Sequence, residues 1–451
     1  MLYPLRIKFR KLSPAQLIVS FYILAVTVST ILLSLPFAHN PAAKWSFLDA
    51  IFTAVSAVSV TGLSTVDISQ TFNTAGIFIL MFVLQFGGIG IMTLGTFIWL
   101  VFRKKIGLKE RRLIMTDQNQ TSLSGLVRLL RQILVIILTI ELIGALVLGV
   151  YFLNYFPDWE EAFLQGLFAS VSATTNAGFD ITGSSLFMFK HDYFVQIINM
   201  LLLILGAIGF PVLIETKDYL LSRNSGRRTR FSLYTKLTTF TFFSLVILGA
   251  IAIFLLDMNH FFKGMSWHER LFYSLFQSIT TRNGGLATMD VSKFSDPTLL
   301  VLCALMFIGA SPSSVGGGIR TTTFALNILA LYHFSKGNKT IKVFKRELLE
   351  DDVVKSFIVS TMAFLICFSS VITLMITEKE PLMPILFEVC SAFGTTGLSL
   401  GITPDLTIIG KCIVILLMFI GRVGILSFLF MFGGNEKLTR YRLPKERVII
   451  G

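Results

Sequence analysis

The chain has 451 residues, of which 54% are hydrophobic and 14% charged, with 39 Lys and Arg against 26 Asp and Glu for a formal net charge of +13; its mean hydropathy is +0.75. Soluble domains carry about a quarter charged residues, so a water-soluble globule is excluded. The basic excess would suit nucleic acid, but its basic stretches lack aromatic interleaving, so no nucleic-acid partner is expected.

In chain order, apolar runs cover 15–35, 78–101, 134–151, 193–214, 237–256, 299–310, 357–376 and 412–432. Most approach the roughly 20 residues that a membrane-crossing helix needs. They predict an all-α polytopic membrane protein with eight transmembrane helices in the lipid bilayer. Arg6, Lys8, Arg10 and Lys11 precede the first run without a small-residue cleavage site after it, which predicts an uncleaved first span.

Basic residues recur after every second run: Arg103 to Arg112, Lys217 to Arg230, Lys336 to Arg346 and Lys437 to Arg447. The alternate connections are richer in acid, with Asp158, Glu160 and Glu161 in one and Glu378 and Glu380 in another. By the positive-inside rule this predicts a cell-membrane protein with both termini cytoplasmic. Cys303, Cys367, Cys390 and Cys412 have no metal-ligand spacing and read as small packing groups.

Each outer connection contains an apolar segment too short to cross, ending in glycine: FTAVSAVSVTGL from Phe52, FASVSATTNAGF from Phe168, LFQSITTRNGGL from Leu275 and FEVCSAFGTTGL from Phe387. Aligned on Gly62, Gly178, Gly285 and Gly397, they share a bulky residue ten before. Six before the glycine stand Ser56, Ser172, Ile279 and Ser391. A second landmark, FGGIG, LGAIG, IGASP and IGRVG, follows 24 to 28 residues downstream. Fourfold self-similarity of this kind predicts four span, pore-loop, span repeats at 1–115, 116–232, 233–345 and 346–451, with four re-entrant pore helices around a central pore. Non-helical backbone at membrane depth is tolerated only where it is buried in protein or lines a cavity.

The loop ends VTG, NAG, NGG and TTG share no ionisable group, so the ion-facing ligand is expected to be backbone carbonyl from Val60, Thr61 and Gly62; Asn176, Ala177 and Gly178; Asn283, Gly284 and Gly285; and Thr395, Thr396 and Gly397. Rings of carbonyls replace the hydration shell of a monovalent cation, which makes the four glycines the expected metal-ion position, with potassium in the pore. Arg282, three before Gly285, would either line this filter and repel cations or brace it from behind. The other copies carry Ser59, Thr175 and Gly394 there, which favours bracing.

The third inner span breaks at ASPSSVGGGIR, residues 310–320. This predicts an intramembrane loop, with Ala310, Ser311, Ser313, Ser314, Gly316, Gly317 and Gly318 forming a mobile plug in a water-filled cavity. Solvent would satisfy its backbone and the three glycines would supply the hinge. The residue after the first landmark glycine is Gly88, Ala207 and Ala310 in three copies but Arg422 in the fourth. An arginine at membrane depth is costly, and it is expected to donate to the loop and complete a gate. A helix-packing kink is the other reading.

As a set, these features resemble the membrane subunit of the Trk, Ktr and HKT potassium-uptake superfamily, most closely that of Gram-positive Ktr systems. The resemblance implies potassium uptake down its electrochemical gradient, often sodium-dependent, so that sodium is a second candidate ion. It also implies a homodimer with one pore per subunit on a cytosolic, nucleotide-binding RCK-type regulatory ring, the nucleotide residing on that partner and no cofactor being covalently attached. In plant relatives a serine at the first filter glycine accompanies sodium transport; Gly62 is the potassium pattern. The apolar tail VIIG after Arg447 is expected to insert into the neighbouring subunit.

Enzymatic readings are weaker. Ser311, Ser313 and Ser314 lack a base at depth, since His39, His191, His260, His268 and His333 fall in or near connections, and GGGIR lacks the lysine of a phosphate loop. A secondary carrier, sodium- or proton-coupled, is the stronger alternative, because broken helices and repeats also mark carriers. For that reading Glu141 is the candidate coupling group; otherwise it pairs at a helix interface.

Overall fold

A computed structural model of the chain describes residues 13–41, 43–90, 125–224, 230–338, 340–432 and 446. The basic clusters of 6–11, 103–112 and 437–447, together with Arg227, Arg228, Lys339, the second run beyond 90 and the tail VIIG, lie outside the described residues.

The described residues form fifteen helices of eight residues or more: α1 (Pro14–Leu33), α2 (Phe47–Ser59), α3 (Thr74–Gly88), α4 (Leu126–Phe152), α5 (Trp159–Thr174), α6 (Tyr193–Ala207), α7 (Phe210–Asn224), α8 (Leu233–Leu256), α9 (Trp267–Thr280), α10 (Asp296–Ile308), α11 (Thr321–Ser335), α12 (Glu350–Thr377), α13 (Leu382–Gly394), α14 (Ile408–Val423) and α15 (Ile425–Phe432). A two-residue-per-strand hairpin, β1 (Lys342–Val343) with β2 (Arg346–Glu347), lies between α11 and α12.

Four helices, α1, α4, α8 and α12, are long and apolar enough to cross a membrane unaided, and up to six spans result if the bent pairs α6 with α7 and α14 with α15 each count as one. The remaining expected spans differ for identifiable reasons. The second apolar run is described only as far as residue 90, and the 299–310 run is α10, a helix of 13 residues that stops where the 310–318 loop begins. Side chains such as Ile247, Leu248, Ile251 and Leu255 on α8 stay exposed, as a lipid-facing surface requires.

The bends at 104° and 102° were not anticipated from the runs. Each falls on the second glycine of a landmark: Gly209 has φ +104 and Gly424 φ +88, and Gly90 in the first landmark has φ +91. A side chain would be strained in that left-handed region, whereas glycine reverses the chain freely. Pro312 occupies the matching place in IGASP, and there the helix opens into a loop instead.

Short helices pack directly on long ones. A Cβ on Gly166 of α5 would lie 2.5 Å from the Cα of Gly149 on α4, so glycine on both helices lets their backbones approach. Ser170 Oγ then donates to Glu141 O at 2.8 Å, and Ser278 of α9 donates likewise to Val246 O of α8 at 2.7 Å. The same fastening thus appears on α4 and α8. Capping boxes start α2 at Ser46 with Asp49 and α9 at Ser266 with Glu269, which satisfies N–H groups the helix itself cannot pair. Cys303, Cys367 and Cys390 are buried as expected of packing groups, but Cys412 is exposed on the surface of α14.

Candidate functional site

Helices α2, α5, α9 and α13 end three to five residues before Gly62, Gly178, Gly285 and Gly397. The residues two before, Val60, Asn176, Asn283 and Thr395, have φ of 57°, 52°, 76° and 51°, and the glycines have φ of 93°, 68°, 68° and 94°. A Cβ built on Gly62 would lie 3.0 Å from Gly178 Cα; on Gly178, 2.9 Å from Gly285 Cα; on Gly285, 3.4 Å from Gly397 Cα; and on Gly397, 3.1 Å from Gly62 Cα. The contacts return to their starting point, so the four glycines form a closed ring in chain order.

At every corner the nearest backbone oxygens belong to the residue before the next glycine. Ala177 O lies 2.5 Å and Gly284 O 3.3 Å from a Cβ built on Gly62 and Gly178, while Thr396 O and Thr61 O crowd Gly285 and Gly397. The corresponding N–H groups turn back to the short helices: Thr61 N to Ser56 O at 2.8 Å, Ala177 N to Ser172 O at 2.7 Å, Gly284 N to Thr280 O at 2.6 Å and Thr396 N to Ser391 O at 2.8 Å. Gly62 N and Gly397 N donate to the hydroxyls of Ser56 and Ser391, both at 3.1 Å. These six N–H groups are engaged by the helices, while the carbonyl oxygens of Thr61, Ala177, Gly284 and Thr396 lie at the contacts of the ring. The helix C-termini beside it add negative potential.

Alignment on the glycines places Ile279 where the other copies have serine, and the structure shifts that position by one residue. Thr280 Oγ1 donates to Leu286 O at 2.6 Å, the bond that Ser172 makes to Phe179 O at 2.6 Å. The third loop is one residue tighter, as Gly284 N pairing four residues back, rather than five, also shows.

Arg282 is buried, and its guanidinium points away from the ring, donating to Leu305 O and, at 3.4 Å, to Gly309 O. It ties the third loop to the end of α10. Asn283 reaches to the fourth loop, donating to Gly394 O, to Thr395 O at 3.0 Å and to Thr395 Oγ1 at 2.8 Å. Asn176 occupies the matching place in the second loop and is fully buried.

The 310–318 loop differs from the expected solvent-satisfied plug in one respect: protein groups pair with much of its backbone. Ser311 N donates to Ala207 O at 3.1 Å, Val315 N to Gly206 O at 3.3 Å and Gly317 N to Thr395 Oγ1 at 2.9 Å. Ser313 O accepts from Phe210 N at 2.8 Å and Pro312 O from the Tyr234 hydroxyl at 2.5 Å. Arg320 donates to Gly316 O and, at 3.3 Å, to Ser311 O, closing the loop on itself. Ser314 Oγ donates to Ser311 O at 2.6 Å. The glycines serve close approach more than hinging, because a Cβ on Gly317 would sit 2.7 Å from Thr395 Oγ1 and one on Gly316 would collide with Asn283; of the three, Gly318 alone has positive φ, +81. Buried backbone polar groups need partners, and the bend at Gly209 places Phe210 N against Ser313 O.

Arg422 donates to Val315 O in this loop and to Gly87 O near the end of α3. A cavity of about 590 Å³ opens beside the loop, lined by Tyr22, Tyr234, Ser313, Ser314, Arg320 and Arg422 among others. Glu141 lies at a helix interface, its Oε2 accepting from Gln85 Nε2 of α3 at 2.8 Å. Sequence reasoning missed Tyr234, Arg320 and the Thr395 hydroxyl. Pattern offered no signal for Tyr234 or for the role of Thr395, whereas Arg320 stands two residues after the third glycine of GGGIR.

The sequence over residues 6–439 matches the TrkH family, described as a cation transport protein. The chain is 64% identical over 451 residues to Ktr system potassium uptake protein D of Bacillus subtilis, covering 99% of this chain and all of that protein. It is 32% identical to potassium/sodium uptake protein NtpJ of Enterococcus hirae, covering 98% of each. The crystal structure of the potassium transporter TrkH from Vibrio parahaemolyticus superimposes with a TM-score of 0.71 at 21% identity, over 91% of this chain and 84% of that one, which establishes a shared fold.

Proposed function

The chain belongs to the TrkH family of cation transport proteins, in its Ktr group, and on that premise we propose that potassium crosses the membrane through the ring of Gly62, Gly178, Gly285 and Gly397. The protein is a multi-pass membrane transporter, not an enzyme. The closed glycine ring, with one carbonyl at each contact and the neighbouring N–H groups turned back to the short helices, is the observation that carries the reading. Desolvated potassium would exchange water for those oxygens, and the absence of charge at the corners leaves size and carbonyl field to set selectivity.

The 310–318 loop and Arg422 act as the gate. Seated, the loop occupies the region next to Asn283 and Thr395 and presents Arg422, whose positive charge raises a barrier to cations. Opening requires release of the Arg422, Tyr234 and Thr395 bonds, and the free energy for it comes from a cytosolic, nucleotide-binding RCK-type ring beneath a homodimer, with the basic loops and both termini on that side. The name of the Enterococcus relative, a potassium/sodium uptake protein, supports sodium as an activating or accompanying ion.

Potassium and sodium fluxes into proteoliposomes, with wild-type chain and Gly62→Ser, test the filter. A Cβ at position 62 meets Ala177 O at 2.5 Å on a backbone with φ +93, so the variant is expected to admit sodium relative to potassium; an unchanged ratio in folded protein refutes the ring as the ion path. The alternative, a proton- or sodium-coupled carrier, is favoured by the buried Glu141, paired with the half-buried Gln85. It predicts that Glu141→Gln abolishes coupled uptake, whereas the channel reading predicts flux that survives it.

A further inference from the structure

Glu388 stands on α13, nine residues before Gly397, and is 0% exposed. Its Oε2 accepts from Ser399 Oγ at 2.8 Å and its Oε1 from Thr403 Oγ1 at 2.5 Å. The two hydroxyls are 3.0 Å apart, and Ser399 Oγ also receives the N–H of Gly401 at 3.0 Å. Ser399 and Thr403 are two and six residues past Gly397. One carboxylate therefore gathers the segment that leaves the ring and fastens it to the helix that enters it. In front, Ser391 Oγ holds Gly397 N; behind, Glu388 holds the exit.

Elsewhere the link between helix and exit segment is weaker or differently charged. In the first loop Asp49 Oδ1 accepts from Thr65 Oγ1 at 2.7 Å, but Asp49 also meets Lys411 at 3.5 Å. In the second, Gln165 Nε2 reaches Ile181 O at 3.5 Å. Among the described residues no cation pairs with Glu388. Burying a carboxyl group is expensive unless hydrogen bonds repay it. This bridge adds a polar fastening to a short backbone segment that has glycines at 397 and 401, both at positive φ of 94° and 95°, and that otherwise is held by packing of the buried Leu398 and Ile402.

We infer that Glu388 is a positioning residue that sets the fourth corner of the ring, and through it the discrimination between potassium and sodium. The inference rests on the ring being the ion path. Discrimination by carbonyls depends on their number, spacing and field, so a fourth corner free to shift would let the ring close on a smaller ion.

The test reconstitutes the full chain in liposomes and measures the ratio of potassium to sodium flux for the wild type, the double variant Ser399→Ala with Thr403→Val, Glu388→Gln and Gly62→Ser. The double variant is expected to lower the ratio several-fold, the equivalent of one neutral hydrogen bond. Ser399→Ala alone should lower it less, and it stands in if the double variant does not assemble. Glu388→Gln is expected to keep the wild-type ratio, because its amide oxygen accepts from Thr403 while its amide nitrogen donates to Ser399 Oγ. A folded double variant in which both fluxes fall in parallel at a constant ratio overturns the inference, since that is what packing alone would do. So does a Glu388→Gln variant as unselective as the double variant, which would make charge rather than bridging the active property. If Gly62→Ser shifts the ratio while the double variant does not, the ring stands and the bridge falls; if Gly62→Ser leaves the ratio unmoved, both fall.

Discussion

Replacing Arg422 isolates the energy that holds the loop in place. The guanidinium donates to Val315 O in the loop and to Gly87 O outside it, and the first of these bonds is lost when the loop moves. A hydrogen bond from a charged donor contributes about 1.5–3 kcal/mol. Removing it should therefore shift the balance between seated and displaced loop by about 10- to 150-fold, at about 1.4 kcal/mol per decade. With the seated state dominant in the absence of the regulatory ring, Arg422→Ala should raise basal potassium or rubidium influx into liposomes by that order. Arg422→Gln separates the two parts of the argument, since its amide can still donate to Val315 O but carries no charge. If the bond governs, Gln falls between wild type and Ala; if the charge barrier governs, Gln conducts like Ala. Arg422→Ala protein that is monodisperse in detergent yet conducts no more than wild type would refute a gating role for the contact.

Tyr234→Phe removes one neutral bond to Pro312 O, 2.5 Å in the native protein. A net contribution of about 0.5–1.5 kcal/mol predicts a several-fold rise in basal influx, smaller than that of Arg422→Ala and measurable in the same assay. Outside the spans, Asp192 caps α6. Burial opposes its ionisation, but the hydroxyls of Tyr155 and Tyr151 and the N–H groups of Val195 and Phe194 outweigh it and hold the carboxyl below its usual range, while the Asp192 bond pushes the Tyr155 phenol up to about 12. A carboxyl lowered on folding stabilises above its unfolded value and loses that stabilisation as pH falls through the folded one. Thermal unfolding of the purified protein should therefore weaken below pH about 4, with a flatter acid limb in Asp192→Asn; identical limbs would refute the assignment.

Much of the organisation was legible because it rests on patterns that recur. Glycine at 62, 178, 285 and 397 in a shared context marked the ring, since a ring corner needs the same backbone freedom each time. Arg422 stood out because an ionised group amid apolar residues is expensive wherever it is placed. Less was legible where the outcome depended on tertiary partners. The one-residue contraction that substitutes Thr280 for Ile279 follows from the register of α9 against α8, which alignment on glycine cannot reveal. The turns of 104° and 102° at Gly209 and Gly424 hide inside apolar runs, because hydropathy is insensitive to direction. The loop read as solvated because its partners, Tyr234, Phe210 and Thr395, are distant in sequence, and nothing local announces them.

The hydroxyl of Thr395 has an importance beyond the bond it makes. It accepts from Gly317 N in the loop and from Asn283 Nδ2 in the adjoining corner, so the plug and two sides of the orifice share one atom. On the proposed reading, loop displacement and ion occupancy are then thermodynamically conjugate: an ion that prefers the orifice in its clasped form must hold the plug in place by the same factor by which the plug favours that ion. Exchanging the permeant species would by itself retune how readily the pathway unlatches, with no message from the cytosol.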